Sequence, residues 1–492
     1  MQPRTFDKKD LEHLEQTNAK YELRQPVRKQ ISDIYEGTQS MRNAGTQYLP
    51  QFPLESGAKY YNRKNHTFLL NMVRKTAETL TGRVFKKDPV IEVPEKLKPY
   101  LDDIDLEGSS IEVFAQKTFN HAIRDAFTFI HTDFTRAPSA VDLGRAVTRK
   151  DEADAGIRPY WRSVRAGQVF NWKDEIIGGK NVLTEVRIRE KTIKYDGMKC
   201  QEVDQIRLLM PGEFHIFQRD PKAGWTLVDS GGTPGMDKIP LDIIYTSKES
   251  YFDGAPILSD LSWKNIEHWQ SSSDQRNILH VARVPILTAS GATEEEMDGT
   301  KQISTDNIIM FTDPAASLNY VEHSGAAIQA GERDLDKIES QMHSYGLQIL
   351  QNNKVTRTAT EAGMENETQI SLLGGAAKLA ADGFQNALFT MLSWIVPGST
   401  LDEIVFSLSS NVGVTIINPE KVKTVIELRK LQDITLETAL RELKEAGALT
   451  DDLDIEAEAV LVKSDSMIEF KNEPEEVEEV DEIEPIIVED SE

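Results

Sequence analysis

The strongest constraint in this sequence is a recurrence of apolar residues at three- and four-residue spacing between residues 256 and 396. One run places Ile328, Leu335, Ile338, Met342, Tyr345 and Ile349 on a single helical face. A second places Ile370, Leu373, Ala377, Ala380, Phe384, Ala387, Met391 and Trp394 on another. A helix with so narrow an apolar stripe must bury it against a second helix. A chain with several such stripes is built to pack side by side with something. A helical stretch at 257–280 precedes these two, with Pro256 suited to its first turn. A strand-rich insert of about forty residues separates it from the return helix at 327–350.

The chain has 492 residues, 39% hydrophobic and 28% charged, which suits a globular protein of two to four packing units. Its single cysteine, Cys200, rules out a disulfide framework within one chain and fits a reducing compartment. No signal peptide opens the chain, and no apolar run reaches the length of a spanning helix, so no membrane partner is expected. Asn65-His66-Thr67 and Asn366-Glu367-Thr368 match the glycosylation pattern by chance if there is no secretory route. Of the net charge of −25, residues 451–492 supply −16, from 18 acidic and 2 basic side chains. The body is therefore mildly acidic and lacks an evident nucleic-acid-gripping surface, although a weakly acidic wall would let DNA pass without sticking.

Helices are expected at 27–41, at 61–84, and from a Ser109-Ser110 cap through Phe114, Phe119, Ile123 and Phe127. Residues 88–94 read as a proline-bounded strand. Period-two patterning then marks strands at 182–189, 203–210, 213–218, 224–228 and 241–245, one antiparallel meander over about 160–246. Turns at 220–224 and 231–235 separate some of them. Short strands at 284–287, 307–311 and 318–321 belong to the insert. After a polar break at 351–363, the third helix runs to Val396, where Pro397-Gly398 stops it. Strands at 404–408 and 412–417 and helices at 419–431 and 436–446 follow, the last with Gly447 as C-cap. From residue 473 the composition is that of a segment ordered only on contact. The fold class is α+β, mainly helical.

No phosphate-binding Gly-x-x-x-x-Gly-Lys loop, His-Glu-x-x-His or Gly-x-Ser-x-Gly is present. His131 and Asp133 lack a third metal ligand, and Asp451, Asp452, Asp454 and Glu456 lack the glycine a calcium loop needs. No catalytic residue, metal or cofactor is expected. Residues 61–87 hold seven basic side chains and one acid, Glu78, which reads as a solvated or intersubunit face before it reads as a DNA grip. Trp263 and Trp269, six apart, are expected as packing anchors. The polar break is an ordinary helix connection on the bland reading. On the functional one it is a loop that meets a polyanion, with Lys354 and Arg357 at phosphates.

The order of elements carries a resemblance. Tyr160-Trp161 and Val169-Phe170-Asn171-Trp172 stand before the meander. Gly346-Leu347-Gln348-Ile349-Leu350 closes the return helix. Leu428 to Leu440, with Gly447-Ala448-Leu449, precedes the acidic tail. Over most of residues 60–465 the chain resembles the portal proteins of tailed bacteriophages. The resemblance implies a wing at 1–255, a stem of two helices at 256–282 and 327–350, and a clip at 283–326. It implies a tunnel loop at 351–363, a spanning helix with returning wing strands at 364–418, a helical crown at 419–470 and an acidic tail at 471–492. The long tail departs from the pattern. Portal proteins form rings, usually of twelve subunits, at one capsid vertex of the virion, assembled in the host cytoplasm, and DNA enters and leaves through the channel. Implied partners are further copies of the chain, double-stranded DNA, terminase, the head–tail adaptor, major capsid protein and scaffolding protein.

On that resemblance Asn352, Asn353, Lys354, Thr356 and Arg357 would face DNA. Ile266, Trp269, Leu335, Ile338, Met342, Tyr345 and Ile349 would pack the stem between subunits. The main rival is a non-enzymatic helical scaffold that binds other proteins without a DNA channel. A more distant one is a hydrolase whose site brings His131 to carboxylates far apart in sequence.

Overall fold

The computed structural model describes residues 6–135, 158–233, 238–283, 286–291, 312–321, 325–346, 359–409, 419–431 and 433–445, with a few isolated positions besides. It is an α+β structure that divides into two units, Met1–Gly413 and Val414–Glu492.

In the first unit, helices α1 (Lys8–Glu12), α2 (Ala19–Glu36), α3 (Thr38–Ala44), α4 (Gly57–His66), α5 (Met72–Val84) and α6 (Ile111–Asp125) come first. Two of the expected helices are broken by local chemistry. The helix expected at 27–41 divides at Gly37, whose φ of 98° only glycine adopts without strain. The helix expected at 61–84 divides at residues 67–71. There the Asn71 side chain accepts from Arg74 N at 2.9 Å and restarts the chain as a new helix. Ser110 caps α6 as expected, through Val113 N at 3.5 Å.

The meander is two sheets, not one. Strands β4 (Val169–Ile177), β5 (Lys180–Asp196), β6 (Lys199–Met210), β7 (Glu213–Asp220) and β8 (Gly224–Gly232) form a five-stranded antiparallel sheet in chain order. Gly231 and Gly232, read from sequence as turn, end β8 opposite Phe214 and Glu213. Strand β9 (Leu241–Tyr245) leaves the meander and pairs with β2 (Phe127–Phe134), which also pairs with β3 (Pro159–Arg165). Phe127 therefore sits in a strand and not at the end of α6. Ala126, at φ 74°, turns the chain between them. A two-stranded sheet joins β1 (Val90–Glu92) to β12 (Val405–Ser407).

A buried polar network ties the two larger sheets together. Arg207 on β6 reaches Glu190 on β5 at 3.0 Å and Asp133 on β2 at 3.4 Å. Arg162 on β3 lies 3.6 Å from the same glutamate, and the Tyr160 hydroxyl donates to Asp133 at 3.3 Å. His131, which the sequence pairs with Asp133 without a third metal ligand, is buried beside this network. Among the described residues no cluster of three or more His, Cys, Asp or Glu side chains is arranged to hold a metal ion.

Helix α7 (Ser259–Ala282) begins two residues after the expected position, followed by β10 (Ile286–Ser290), β11 (Ser317–Val321) and α8 (Ala326–Gly346). The two strands pair antiparallel from Ile286↔Val321 to Ser290↔Ser317. The insert strand expected at 307–311 and the strand at 412–417 lie outside the described residues, as does Ile349. Helix α9 (Ala359–Ile395) has 37 residues and starts earlier than the expected 364, so positions 359–363 of the polar break are helical. At about 1.5 Å per residue it is about 55 Å long. Its stripe of Leu373, Ala377, Ala380, Phe384, Ala387 and Met391 is buried in one core with residues of α2, α5, α6 and α7. Gly383 lets it cross β9 closely, since a Cβ there would stand 2.5 Å from the Ile243 carbonyl.

The second unit has α10 (Pro419–Lys430) and α11 (Leu436–Glu445). Val425 and Ala439 are buried in it, and Thr435 caps α11 through Thr438 N at 3.2 Å. The acidic tail from residue 459 lies outside the described residues.

Candidate assembly interface

The two stem helices expected from the sequence form one antiparallel hairpin anchored in the body. From α7, His268 Nε2 meets Glu339 Oε1 of α8 at 3.1 Å, and the Ser271 hydroxyl donates to Asp334 at 3.0 Å. Further along, Gln275 Nε2 donates to the Ile328 carbonyl at 2.8 Å. The last contact requires a close approach at Gly331, where a Cβ would stand 2.0 Å from Gln275 Oε1. Toward the body, Asn265 Oδ1 accepts from Met72 N and Val73 N at 3.1 and 3.3 Å and caps the start of α5. Its amide donates to the Leu70 carbonyl at 2.9 Å. Gln270 donates to the Tyr48 carbonyl at 2.9 Å.

The seam residues divide in two. Ile266, Trp269, Ile338 and Met342 are buried in the chain's own core, with Leu335 half-buried. Their apolar surface is spent inside one chain. Tyr345 is 57% exposed, and Trp263 is 58% exposed where Trp269 is fully buried, so only one of the two tryptophans anchors the interior. The DNA-facing candidates Asn352, Asn353, Lys354, Thr356 and Arg357 lie outside the described residues.

One feature of this region was not read from sequence. A groove of about 1140 Å³ opens between α4, the C-terminal half of α7 and the start of α8. Its inner wall is set by Arg63, whose guanidinium holds Glu55 through two 2.8 Å contacts and also reaches Ser273 at 3.3 Å and the Pro50 carbonyl at 2.8 Å. That partner holds the Glu55 carboxyl below the usual range. Burial pushes Asp274, 3.7 Å from Arg63, the other way. Phe52, Leu54 and Phe68 give the groove exposed apolar surface, and Leu54 is fully exposed. Arg276 lies over the Phe68 ring at 5.3 Å. The basic run at 61–87 thus forms no single face: Arg63 is buried here, and Arg74 donates to the Tyr35 carbonyl at 2.7 Å.

Residues 257–395, the span from α7 through α9, match a family described as a domain of unknown function, DUF4055. The match covers less than a third of the chain. No curated protein matches the sequence. Among solved structures the chain is similar to one from the neck of an empty gene transfer agent particle computed with C6 symmetry, at 10% identity and a TM-score of 0.38. That alignment covers 80% of this chain and 90% of the other. It is also similar to one from the virion of a native gene transfer agent particle, at 12% identity and 0.36, over 87% and 93%. A third, from the neck of a native particle computed with C12 symmetry, aligns at 11% identity and 0.38, over 83% and 99%. No helix among the described residues is long and apolar enough to cross a membrane.

Proposed function

We propose that this chain is the ring-forming portal subunit of a phage-type particle, a structural conduit for double-stranded DNA and not an enzyme. The observation that carries the reading is the α7–β10–β11–α8 hairpin. Two long helices, seated on the body by Asn265 and Gln270, bracket a small β unit, and a 37-residue helix follows them in the chain. That sequence of elements supports the stem, clip, stem and spanning-helix order that the resemblance implies. In that reading the β10–β11 unit is the clip that docks terminase and later the head–tail adaptor. Lys354 and Arg357 contact DNA phosphates where the channel narrows.

Side-by-side assembly of such subunits uses a heterologous interface, in which two different faces of the chain meet and the rotation closes. The test of the DNA contact is the pair Lys354→Ala and Arg357→Ala in the assembled particle. Packaged DNA length or retention is expected to fall. Unchanged packaging and retention would remove these residues from the channel's function. The assembly itself is tested by electron microscopy of the purified full chain, in which projections with a central hole are expected.

A further inference from the structure

We infer that the ring contact is a knob and groove: the Trp263 face of one copy's α7 seats in the α4–α7 groove of the next. The inference rests on the ring reading above and assigns it the two faces.

Helical geometry makes the faces opposite. Nine residues on an α-helix are two and a half turns, so Trp263 and Glu267 point away from Ser272 and Arg276, which line the groove. The two faces also differ in chemistry. On the groove side Arg63 and Glu55 neutralise each other, which leaves Lys59, Arg276 and Arg283 against Glu332. None of those three cations is in an ion pair among the described residues. The apolar surface between them, from Phe52, Leu54 and Phe68, faces solvent in the single chain. On the opposite side, Asp260, Trp263, Glu267 and Ser271 recur at three- and four-residue spacing, with Asp334 held beside Ser271. Lys264 pairs with Glu267 at 2.6 Å and is the one cation within that stripe. An acidic face with an exposed indole therefore backs onto a basic groove with exposed apolar side chains.

A second copy is the occupant that fits both faces at once. A large aromatic that is exposed in the free chain is the usual centre of a protein contact, and surrounding opposite charges set its register. Because donor and acceptor faces lie on opposite sides of one helix, each copy uses both, and the contact propagates head to tail and not as an isolated pair.

Charge exchange tests this. In the groove variant Lys59→Glu is combined with Arg276→Glu, and in the knob variant Asp260→Lys with Glu267→Lys. Each alone is expected to fall from ring mass to subunit mass in mass photometry, with a cooperative thermal transition retained because the four side chains are solvent-facing. An equimolar mixture is expected to regain ring mass, since each altered face then meets its complement in an alternating ring. Trp263→Ala is expected to lose ring mass with no charge change. Variants that keep ring mass alone, or a mixture that stays at subunit mass, overturn the pairing while wild-type rings leave the ring reading standing. A wild-type protein that forms no rings overturns both, and that is seen before any variant is made.

Discussion

At the scale of single residues, the interior of the β-rich part is set by charged groups that could not be buried singly. Arg207 compensates two carboxylates, and burial is then tolerated because every member of the set has a partner. His131, buried beside them, is held neutral: burial lowers its pKa from 6.5 to about 4. His121 falls to about 3, also mainly through burial, with Arg124, Arg165 and Lys117 adding repulsion. The unfolded chain takes up a proton at each histidine below pH 6.5 and the folded chain does not. The stabilisation is therefore complete above 6.5 and is lost as pH falls toward 4. For His131 a shift of that size is worth about 3 kcal/mol. Asp133 and Glu190, whose pKa values are lowered, add further loss at lower pH, while buried Asp242, whose pKa is raised, acts in the opposite direction. The difference between wild type and His131→Gln isolates the histidine. The wild-type thermal midpoint is expected to drop more steeply than the variant's between pH 6.5 and 4. Parallel curves would show that His131 does not carry this dependence.

At the scale of elements, α9 packs through its small residues. Alanines and Gly383 on its buried stripe allow the helix to lie against β9. A methyl at 383 would meet backbone, the Ile243 carbonyl, which cannot swing aside. Gly383→Ala is therefore expected to destabilise the first unit by about 1–3 kcal/mol, read as a lower thermal midpoint. Gly331→Ala would meet only the end of the Gln275 side chain and is expected to cost less. Equal midpoints for Gly383→Ala and wild type would mean that the helix is not in contact with the sheet.

The helices of this region were legible in the sequence because a long apolar stripe has a single solution. Ile338 and Met342 are buried as the spacing requires. The pattern did not say against what: the partner is the chain's own α5–α7 packing, and a stripe carries no label for self or neighbour. Strand β2 was misread because Phe127 continues the helical spacing of α6, and only the left-handed turn at Ala126 breaks it. The departure of β9 from the meander depends on pairing with a strand more than a hundred residues earlier, which local alternation does not encode.

At the scale of the whole molecule, the groove was out of reach of sequence reasoning. It is assembled from Phe52, Lys59, Arg276 and Glu332, which only the packing of three helices brings together. What the sequence did offer was the order of elements, and the hairpin, its small β unit and the long helix follow that order. The exposed Trp263 and the exposed groove are the two surfaces that the proposed ring contact uses. The most direct measurement is the mass of the purified full-length wild-type chain across dilute and concentrated samples, combined with single-particle images of the same material. A closed ring, with one discrete mass that is a high multiple of the subunit's and a central hole, is the expected result. A subunit or dimer mass at every concentration, with compact images and no hole, would contradict it.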